Sequence, residues 1–133
     1  MEDVKTRGSF TANQLPAILW AVLIFVSSSI PSALIPSLKV TDIDKLLHFG
    51  VYFLLSFFTY RALRNQTRIP VLARRALLWT VLLIILYGAT DEIHQYFVPG
   101  RSADVLDLVA DTLGACVLVA GVWIRGRMRT GAD

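Results

Sequence analysis

Residues 76–97 read ALLWTVLLIILYGATDEIHQYF, and this stretch decides the fold. It begins as a long apolar run and ends in the ionisable residues Asp91, Glu92 and His94. A helix needs about 20 predominantly apolar residues to cross a bilayer. Ionisable side chains at membrane depth are costly, and they are kept where they face a bundle interior, form pairs or serve a function. The stretch therefore predicts a transmembrane helix with a polar site near one end.

Three more apolar segments predict an all-α integral membrane bundle of four transmembrane helices. They cover residues 15–34, 43–63 and 105–124. The composition agrees, because 55% of the 133 residues are hydrophobic and 17% are charged, with a mean hydropathy of +0.58. That balance excludes an ordinary soluble domain, and the length excludes two domains. We expect one membrane domain at residues 14–125, flanked by polar tails at residues 1–13 and 126–133.

The first apolar segment has some features of a secretory signal. Lys5 and Arg7 precede a short apolar core, and Ser32-Ala33 resembles a cleavage site. We interpret the segment as a retained anchor, because the apolar run continues through Leu34 and Ile35.

The distribution of basic residues predicts the orientation. Of the 13 lysines and arginines, Lys39, Lys45 and Arg101 lie toward the end of the spans that carries the polar residues, and the others flank the opposite end. Because cytoplasmic loops are enriched in Lys and Arg, we expect both termini in the cytoplasm and the polar residues at the extracytoplasmic end. The net charge of +3 follows from these flanks. Since the arginines form no continuous stripe, we expect no nucleic-acid partner.

Three of the spans carry polar residues at helical spacing. These are Asp44, Lys45, His48 and Tyr52 on the second span, Asp91, Glu92 and Gln95 on the third, and Asp104, Asp107 and Asp111 on the fourth. Residues three or four apart share a helix face. At a rise of about 1.5 Å per residue, these faces lie in the outer third of a hydrocarbon core about 30 Å thick. We therefore expect them to converge on one pocket, with Arg101 over its mouth.

The same residues resemble two signatures of the VanZ-like family of membrane proteins. The first is Asp44-Lys45-x-x-His48-Phe49-x-x-Tyr52, and the second comprises Asp91-Glu92-x-x-Gln95, Pro99-Gly100-Arg101, Asp104-x-x-Asp107 and the later Gly114. The resemblance covers residues 42–121 and departs at Asp111, where the family commonly has an asparagine. It implies a multi-pass protein of the bacterial plasma membrane and a link to teicoplanin-type glycopeptide resistance. It implies no particular reaction.

The polar residues suggest acid–base or metal chemistry. Six acids facing Lys45 and Arg101 cannot all stay ionised in one place, so some are protonated or a cation binds. His48, Glu92 and Asp107 are the candidate catalytic residues, acting as general acid and base. The same three residues offer nitrogen and oxygen ligands, so a divalent metal such as zinc is a candidate cofactor. No HExxH spacing supports a named metalloenzyme class.

The other polar residues are candidate ligand-binding groups. They are Asp44, Lys45, Tyr52, Asp91, Gln95, Arg101, Asp104 and Asp111. The planar guanidinium of Arg101 suits a phosphate or carboxylate ligand. The structural alternative is that Lys45 or Arg101 pairs with Asp104 or Asp107 and fixes the packing of the spans.

The leading hypothesis is a VanZ-like envelope protein that binds, modifies or moves a cell-wall lipid precursor or a glycopeptide at an outward-facing polar pocket. Membrane lipids are its expected surroundings. Two alternatives stay open: a metal-dependent membrane hydrolase acting on a lipid-linked substrate, and a non-catalytic partner in an envelope complex. The sequence contains no nucleophile elbow or phosphate loop, so no enzyme class is assigned.

Overall fold

The computed structural model describes residues 9–34 and 41–130, which are built from helices with no β-strand. The α-helices of these ranges are α1 (Phe10–Ser28), α2 (Thr41–Asn65), α3 (Pro70–Arg74), α4 (Ala76–Tyr96) and α5 (Val105–Thr130). A short 3-10 turn at Ser32–Leu34 follows α1. Four helices, α1, α2, α4 and α5, are long and apolar enough to cross a membrane. The predicted all-α bundle with four spans is confirmed for the described part of the chain.

The bundle is apolar outside and partly polar inside, the reverse of a soluble protein. Large apolar side chains on α1, such as Leu19 and Val22, are exposed, whereas Glu92, Gln95 and Asp111 are buried. Lipid tails accommodate apolar side chains but offer no hydrogen bonds to polar groups. The distribution therefore fits a bundle that lies in a bilayer.

The first helix begins before the predicted first span, and the last helix ends after the predicted fourth span. α1 begins at Phe10 because the Ser9 hydroxyl caps it, accepting a hydrogen bond from the backbone N–H of Ala12. α5 continues to Thr130, well past the predicted end near residue 124. Its last turn is basic, and positive charge is favourable at a helix C-terminus. The outer parts of both predicted tails, residues 1–8 and 131–133, lie outside the described residues.

The first span ends earlier than predicted. Its apolar run was expected to continue to residue 34, but α1 stops at Ser28. The hydroxyls of Ser27 and Ser29 donate to backbone carbonyls one turn back, which offers the chain an alternative to the helical ladder. Pro31 then disfavours helical backbone in the residue before it. Residues 30–34 therefore belong to the connection that follows α1.

A short helix, α3, interrupts the basic connection between α2 and α4 and was not predicted. Pro70 lies in its first turn, where the missing backbone N–H and the preset backbone angle of proline both favour a helix start. The Gln66 side chain accepts a hydrogen bond from the backbone N–H of Ile69 at 2.8 Å and holds the turn that leads into α3.

α2 is the central element and contacts α1, α4 and α5. Gly114 lets α5 approach it closely, since a Cβ at this position would lie 2.6 Å from the backbone oxygen of Phe49. A small residue at such a crossing is typical of membrane helix packing. The approach brings the polar faces of α2 and α5 into direct contact.

The hydrogen bonds that attach α1 to this core include those of Trp20 and Tyr87. The indole N–H of Trp20 donates to the carbonyl of Val51 on α2 at 2.9 Å. The Tyr87 hydroxyl on α4 donates to the carbonyl of Ala21 at 2.6 Å. α1 is therefore held beside α2 and α4, and it forms one wall of the cavity described below.

Candidate functional site

A cavity of about 270 Å³ lies between α1, α2 and α4, near the end of the bundle that carries the polar residues. Its polar lining consists of Asp44, His48, Tyr52, Asp91, Gln95 and Arg101, together with serines of α1. All six are residues that the sequence marks as site candidates. Its remaining wall is apolar and includes Trp20, Leu23 and Val51. The cavity thus combines a polar end with an apolar side.

The other predicted site residues do not line this cavity. They are Lys45, Glu92, Asp104, Asp107 and Asp111, and they lie in contact with one another where α2, α4 and α5 meet. His48 belongs to both places, because it lines the cavity and its Nδ1 lies 3.1 Å from Asp111 Oδ1. The expected single pocket is therefore two adjoining polar regions joined by His48.

Lys45 binds two acids of α5. Its Nζ donates to Asp104 Oδ2 and to Asp107 Oδ1, each at 2.8 Å. Asp104 also caps α5, because its Oδ1 accepts from the backbone N–H of Leu106 at 2.8 Å. The hydrogen bond from Lys45, followed by that from Leu106, lowers the pKa of Asp104, so the carboxylate form is favoured. This is the structural pairing that the sequence left as an alternative for Lys45.

Arg101 does not pair with Asp104 or Asp107, the alternative role considered for it. Its guanidinium donates to the carbonyls of Ser27 and Ile30 at 3.3 and 3.2 Å and to Gln95 Oε1 at 3.4 Å. All three acceptors are neutral, and none of the described carboxylates forms an ion pair with it. Arg101 therefore brings to the cavity lining a positive charge with no direct ion-pair partner among the described residues, although Asp44 and Asp91 line the same cavity.

The turn before Arg101 directs it toward α1. Gly100 has a backbone φ of +75°, which side-chain-bearing residues rarely adopt. A Cβ at Gly100 would also collide with the hydroxyl of Ser32, and the Ser32 N–H donates to the carbonyl of Pro99 at 3.3 Å. The Pro99-Gly100 turn thus packs against the segment that follows α1.

Three buried carboxylates are only half satisfied. Asp91 Oδ2 accepts from the Tyr52 hydroxyl at 3.1 Å and from Gln95 Nε2 at 3.2 Å, while Asp91 Oδ1 has no hydrogen-bond partner among the described residues. Glu92 Oε2 accepts from the backbone N–H of Asp104 at 2.7 Å, and no described residue donates a hydrogen bond to Glu92 Oε1. Asp111 Oδ2 is likewise buried without a hydrogen-bond partner among the described residues. Such atoms are uncommon in a native interior and call for an explanation.

Two trios near His48 have the donor chemistry and spacing of a metal site. In each, the ligand atoms lie within 4.8 Å of one another: Asp44, His48 and Asp107 in one, and His48, Glu92 and Asp111 in the other. The predicted trio of His48, Glu92 and Asp107 is divided between them. In the trio that contains Glu92, the third residue is Asp111 rather than the predicted Asp107. The sequence analysis gave Asp111 only as a candidate ligand-binding residue.

The contribution of α1 was missed by the sequence reasoning. Trp20, Ser27 and Ser28 line the cavity, yet the segment was interpreted as an anchor alone. The triple serine near the end of an otherwise apolar span was the available signal. His94, which falls in the polar stripe of α4, is not among the residues that line the cavity, and its Nε2 lies 2.9 Å from Ser29 Oγ on α1's C-terminal side.

The fold and the site together define a multi-pass membrane protein with a buried polar centre near one end of its bundle. The family described as VanZ/LLP1 matches residues 10–126, and the chain belongs to it. The match includes α1, which the sequence signatures at residues 42–121 do not reach.

One curated relative is an uncharacterized protein of Schizosaccharomyces pombe. It is 33% identical over 97 residues, which cover 72% of this chain and 55% of the relative. The chain therefore spans about half the length of that relative. No solved structure matches the chain.

Proposed function

We propose that this VanZ-like protein binds the anionic head group of an amphiphilic envelope molecule, a cell-wall lipid precursor or a glycopeptide, in the cavity between α1, α2 and α4. The observation that carries the proposal is Arg101. Its guanidinium lines the cavity, and the hydrogen bonds that it donates to described residues all go to neutral oxygens. In a partly apolar setting, a charged guanidinium is stabilised most by a ligand with a phosphate or carboxylate group, because it can form two parallel hydrogen bonds to such a group.

The apolar wall supports an amphiphile rather than a small free anion. This wall is formed by Trp20, Leu23 and Ile24 on α1 and by Leu47 and Val51 on α2. These side chains suit a lipid tail or the hydrophobic part of a glycopeptide. A molecule that enters from the bilayer would keep its chain on this wall and its anionic group at Arg101.

We further propose that the protein lies in a bacterial plasma membrane with the cavity at the extracytoplasmic end. The support is the excess of arginine at the opposite end of the bundle. This orientation places the cavity at the level of the outer leaflet, where cell-wall precursors and glycopeptides meet. Teicoplanin-type resistance, which the family name suggests, is the phenotype that we expect from such binding.

The test is binding of a fluorescent polyprenyl phosphate to the purified protein in nanodiscs. We expect Arg101→Gln to weaken binding by at least about tenfold, because a charge-assisted hydrogen bond is worth about 1.5–3 kcal/mol. Arg101→Lys keeps the charge but loses the planar fork, so an intermediate affinity is expected. The matched control is Arg125→Gln at the far end of α5, which should bind as the wild type does.

Thermal melting of each variant separates lost binding from lost folding. Unchanged affinity in a folded Arg101→Gln variant would refute binding at this residue. Teicoplanin in place of the polyprenyl phosphate distinguishes a glycopeptide ligand from a lipid precursor. If neither probe binds the wild-type protein, a non-catalytic role in an envelope complex is the reading that survives.

A metal-dependent hydrolase acting on a lipid-linked substrate is the second candidate. The observation that favours it is the position of His48, which lines the cavity and also lies beside Glu92 and Asp111. A polar group bound in the cavity would therefore lie next to groups suited to acid–base or metal chemistry. Phosphate release in the same nanodiscs, given a polyprenyl diphosphate, distinguishes hydrolysis from binding.

A further inference from the structure

The junction of α2, α4 and α5 contains a trio with unused ligand capacity. We propose that His48, Glu92 and Asp111 form a binding site for a divalent transition-metal ion. The site lies behind the cavity and does not depend on the amphiphile proposed above. One atom from each residue lies within 4.8 Å of the others. Ligands around zinc, at bonds of about 2.0–2.1 Å, lie closer together than this, so a modest inward movement of the side chains completes the site.

Two buried carboxylate oxygens of the trio accept no hydrogen bond from the described residues. Glu92 Oε1 and Asp111 Oδ2 make no hydrogen bond to any described residue. Glu92 is 6% exposed and Asp111 is fully buried, so neither is solvated in the ordinary way. Leaving a buried charged acceptor unpaired costs more than the net value of a hydrogen bond. A cation shared between the two oxygens would satisfy both.

The charges at this junction also favour an added cation. Lys45 is already engaged by Asp104 and Asp107 at 2.8 Å each. Among the described groups, only His48 is left to offset Glu92 and Asp111 at this point, and it brings at most one positive charge. A buried excess of negative charge is normally removed by a proton or a bound cation.

Gly88 lets the Asp111 side chain approach α4 closely. Asp111 Oδ2 points at Gly88, where a Cβ would lie 3.0 Å from this oxygen. Glu92 is one helical turn beyond Gly88 and shares its face of α4. The glycine therefore allows Asp111 to reach α4 beside Glu92. His48 also lines the cavity, which gives an ion an entry path.

The alternative trio of Asp44, His48 and Asp107 is less suited. Asp107 Oδ1 already accepts a hydrogen bond from Lys45, and no oxygen of Asp107 is buried without a partner. Asp44 is exposed, so water can solvate its carboxylate. A metal at this trio would have to compete with the Lys45 ammonium group for Asp107, whereas no described lysine or arginine pairs with the carboxylates of the buried trio.

The donor set selects the kind of metal. One imidazole nitrogen with two carboxylates suits zinc and related transition metals, while magnesium and calcium prefer oxygen ligands alone. Three protein ligands also leave a fourth tetrahedral position open, which is typical of catalytic rather than structural zinc sites. Zinc is therefore the appropriate probe, with magnesium as the control ion.

The experiment is a zinc titration of the full-length protein in detergent, purified without a histidine tag, stripped by a chelator and followed by competition with a chromophoric zinc indicator. We expect one zinc per chain and no displacement by equimolar magnesium. Glu92→Gln and Asp111→Asn should each weaken binding by at least about tenfold, since even outer-shell changes cost about 10–100-fold. Asp111→Asn keeps Oδ1 for His48, so its fold should survive.

The matched control variants are Asp44→Asn and Asp107→Asn, which alter the competing trio and should weaken zinc binding less than Glu92→Gln and Asp111→Asn do, because neither carboxylate is a ligand of the proposed site. Zinc should also raise the melting temperature of the wild type but not of Asp111→Asn, because a ligand stabilises only the state that binds it. Failure of the wild type to bind zinc stoichiometrically would overturn the proposal. Loss of binding in the two control variants, with retention in Glu92→Gln and Asp111→Asn, would also overturn it and assign the metal to the other trio.

Discussion

At the residue scale, Tyr52 connects the packing of the bundle to its polar centre. It is buried at 1% exposure, and its hydroxyl donates to Asp91 Oδ2. Its ring also lies against Tyr87, with centroids 6.1 Å apart. The apolar body of Tyr52 thus packs in the core while its polar tip holds a carboxylate at the cavity wall.

Tyr52→Phe should therefore destabilise the protein without changing its fold. The change keeps the ring and removes a donor from the buried Asp91, so the free energy of unfolding should fall by about 1–3 kcal/mol. Reversible unfolding in mixed micelles measures the loss. The control is Tyr60→Phe, because the Tyr60 hydroxyl makes no hydrogen bond to a described residue. Equal stability of the two variants would argue that the Tyr52–Asp91 bond contributes little.

The partners of Lys45 and Arg101 mark how far the sequence can predict the site. Helical spacing identified the residues of each polar face, because a face depends only on positions within one helix. It did not distinguish which cation pairs with Asp107, because that depends on how two helices cross and how a loop turns. Lys45 lies on the helix that Gly114 brings against α5, while the positive φ of Gly100 directs Arg101 to α1.

At the element scale, the contact between α2 and α5 determines whether the polar faces meet. Gly114→Ala should separate these helices, because the added Cβ would lie 2.6 Å from the backbone oxygen of Phe49 and 2.9 Å from the backbone nitrogen of Phe53. Neither backbone atom can rotate away, so we expect a loss of about 1–3 kcal/mol in stability, typical of overpacking. Denaturation in mixed micelles measures this loss.

Gly121 on the same helix offers the matched control. A Cβ there meets no described atom within 4 Å, so Gly121→Ala should leave the protein at least as stable as the wild type. A Gly114→Ala variant that is equally stable would show that α2 and α5 are farther apart than described. The pair of variants separates close packing from the general effect of replacing glycine in a helix.

The helices themselves were the most predictable elements. Apolar length located α2, α4 and the start of α5 closely, since crossing a bilayer requires a minimum apolar run. α1 was misplaced at both ends because its termini depend on Ser9 and Pro31, local features that hydropathy ignores. Its role as a cavity wall was missed for a related reason. Apolar residues that face a cavity look the same in sequence as those that face lipid.

At the scale of the whole molecule, the bundle has two chemically distinct ends. One end holds the cavity and the buried acids, and the other is surrounded by arginines on α2, α3 and α5. His48 and Arg61 are separated by about 20 Å along α2, which is about two thirds of a hydrocarbon core about 30 Å thick. The orientation of the bundle therefore decides which side of the membrane can supply the cavity and the proposed metal site.

Cysteine labelling in intact cells tests that orientation, in a background where the native Cys116 is replaced by alanine. Ser102 is exposed in the turn before α5, and Thr67 is exposed in the connection between α2 and α3. Thr67 is preferable to Gln66, whose side chain holds that turn. If the basic end is cytoplasmic, an impermeant thiol reagent should label Ser102→Cys and spare Thr67→Cys until the cells are opened. The reverse pattern would place the cavity on the cytoplasmic side and rule out binding at the outer leaflet.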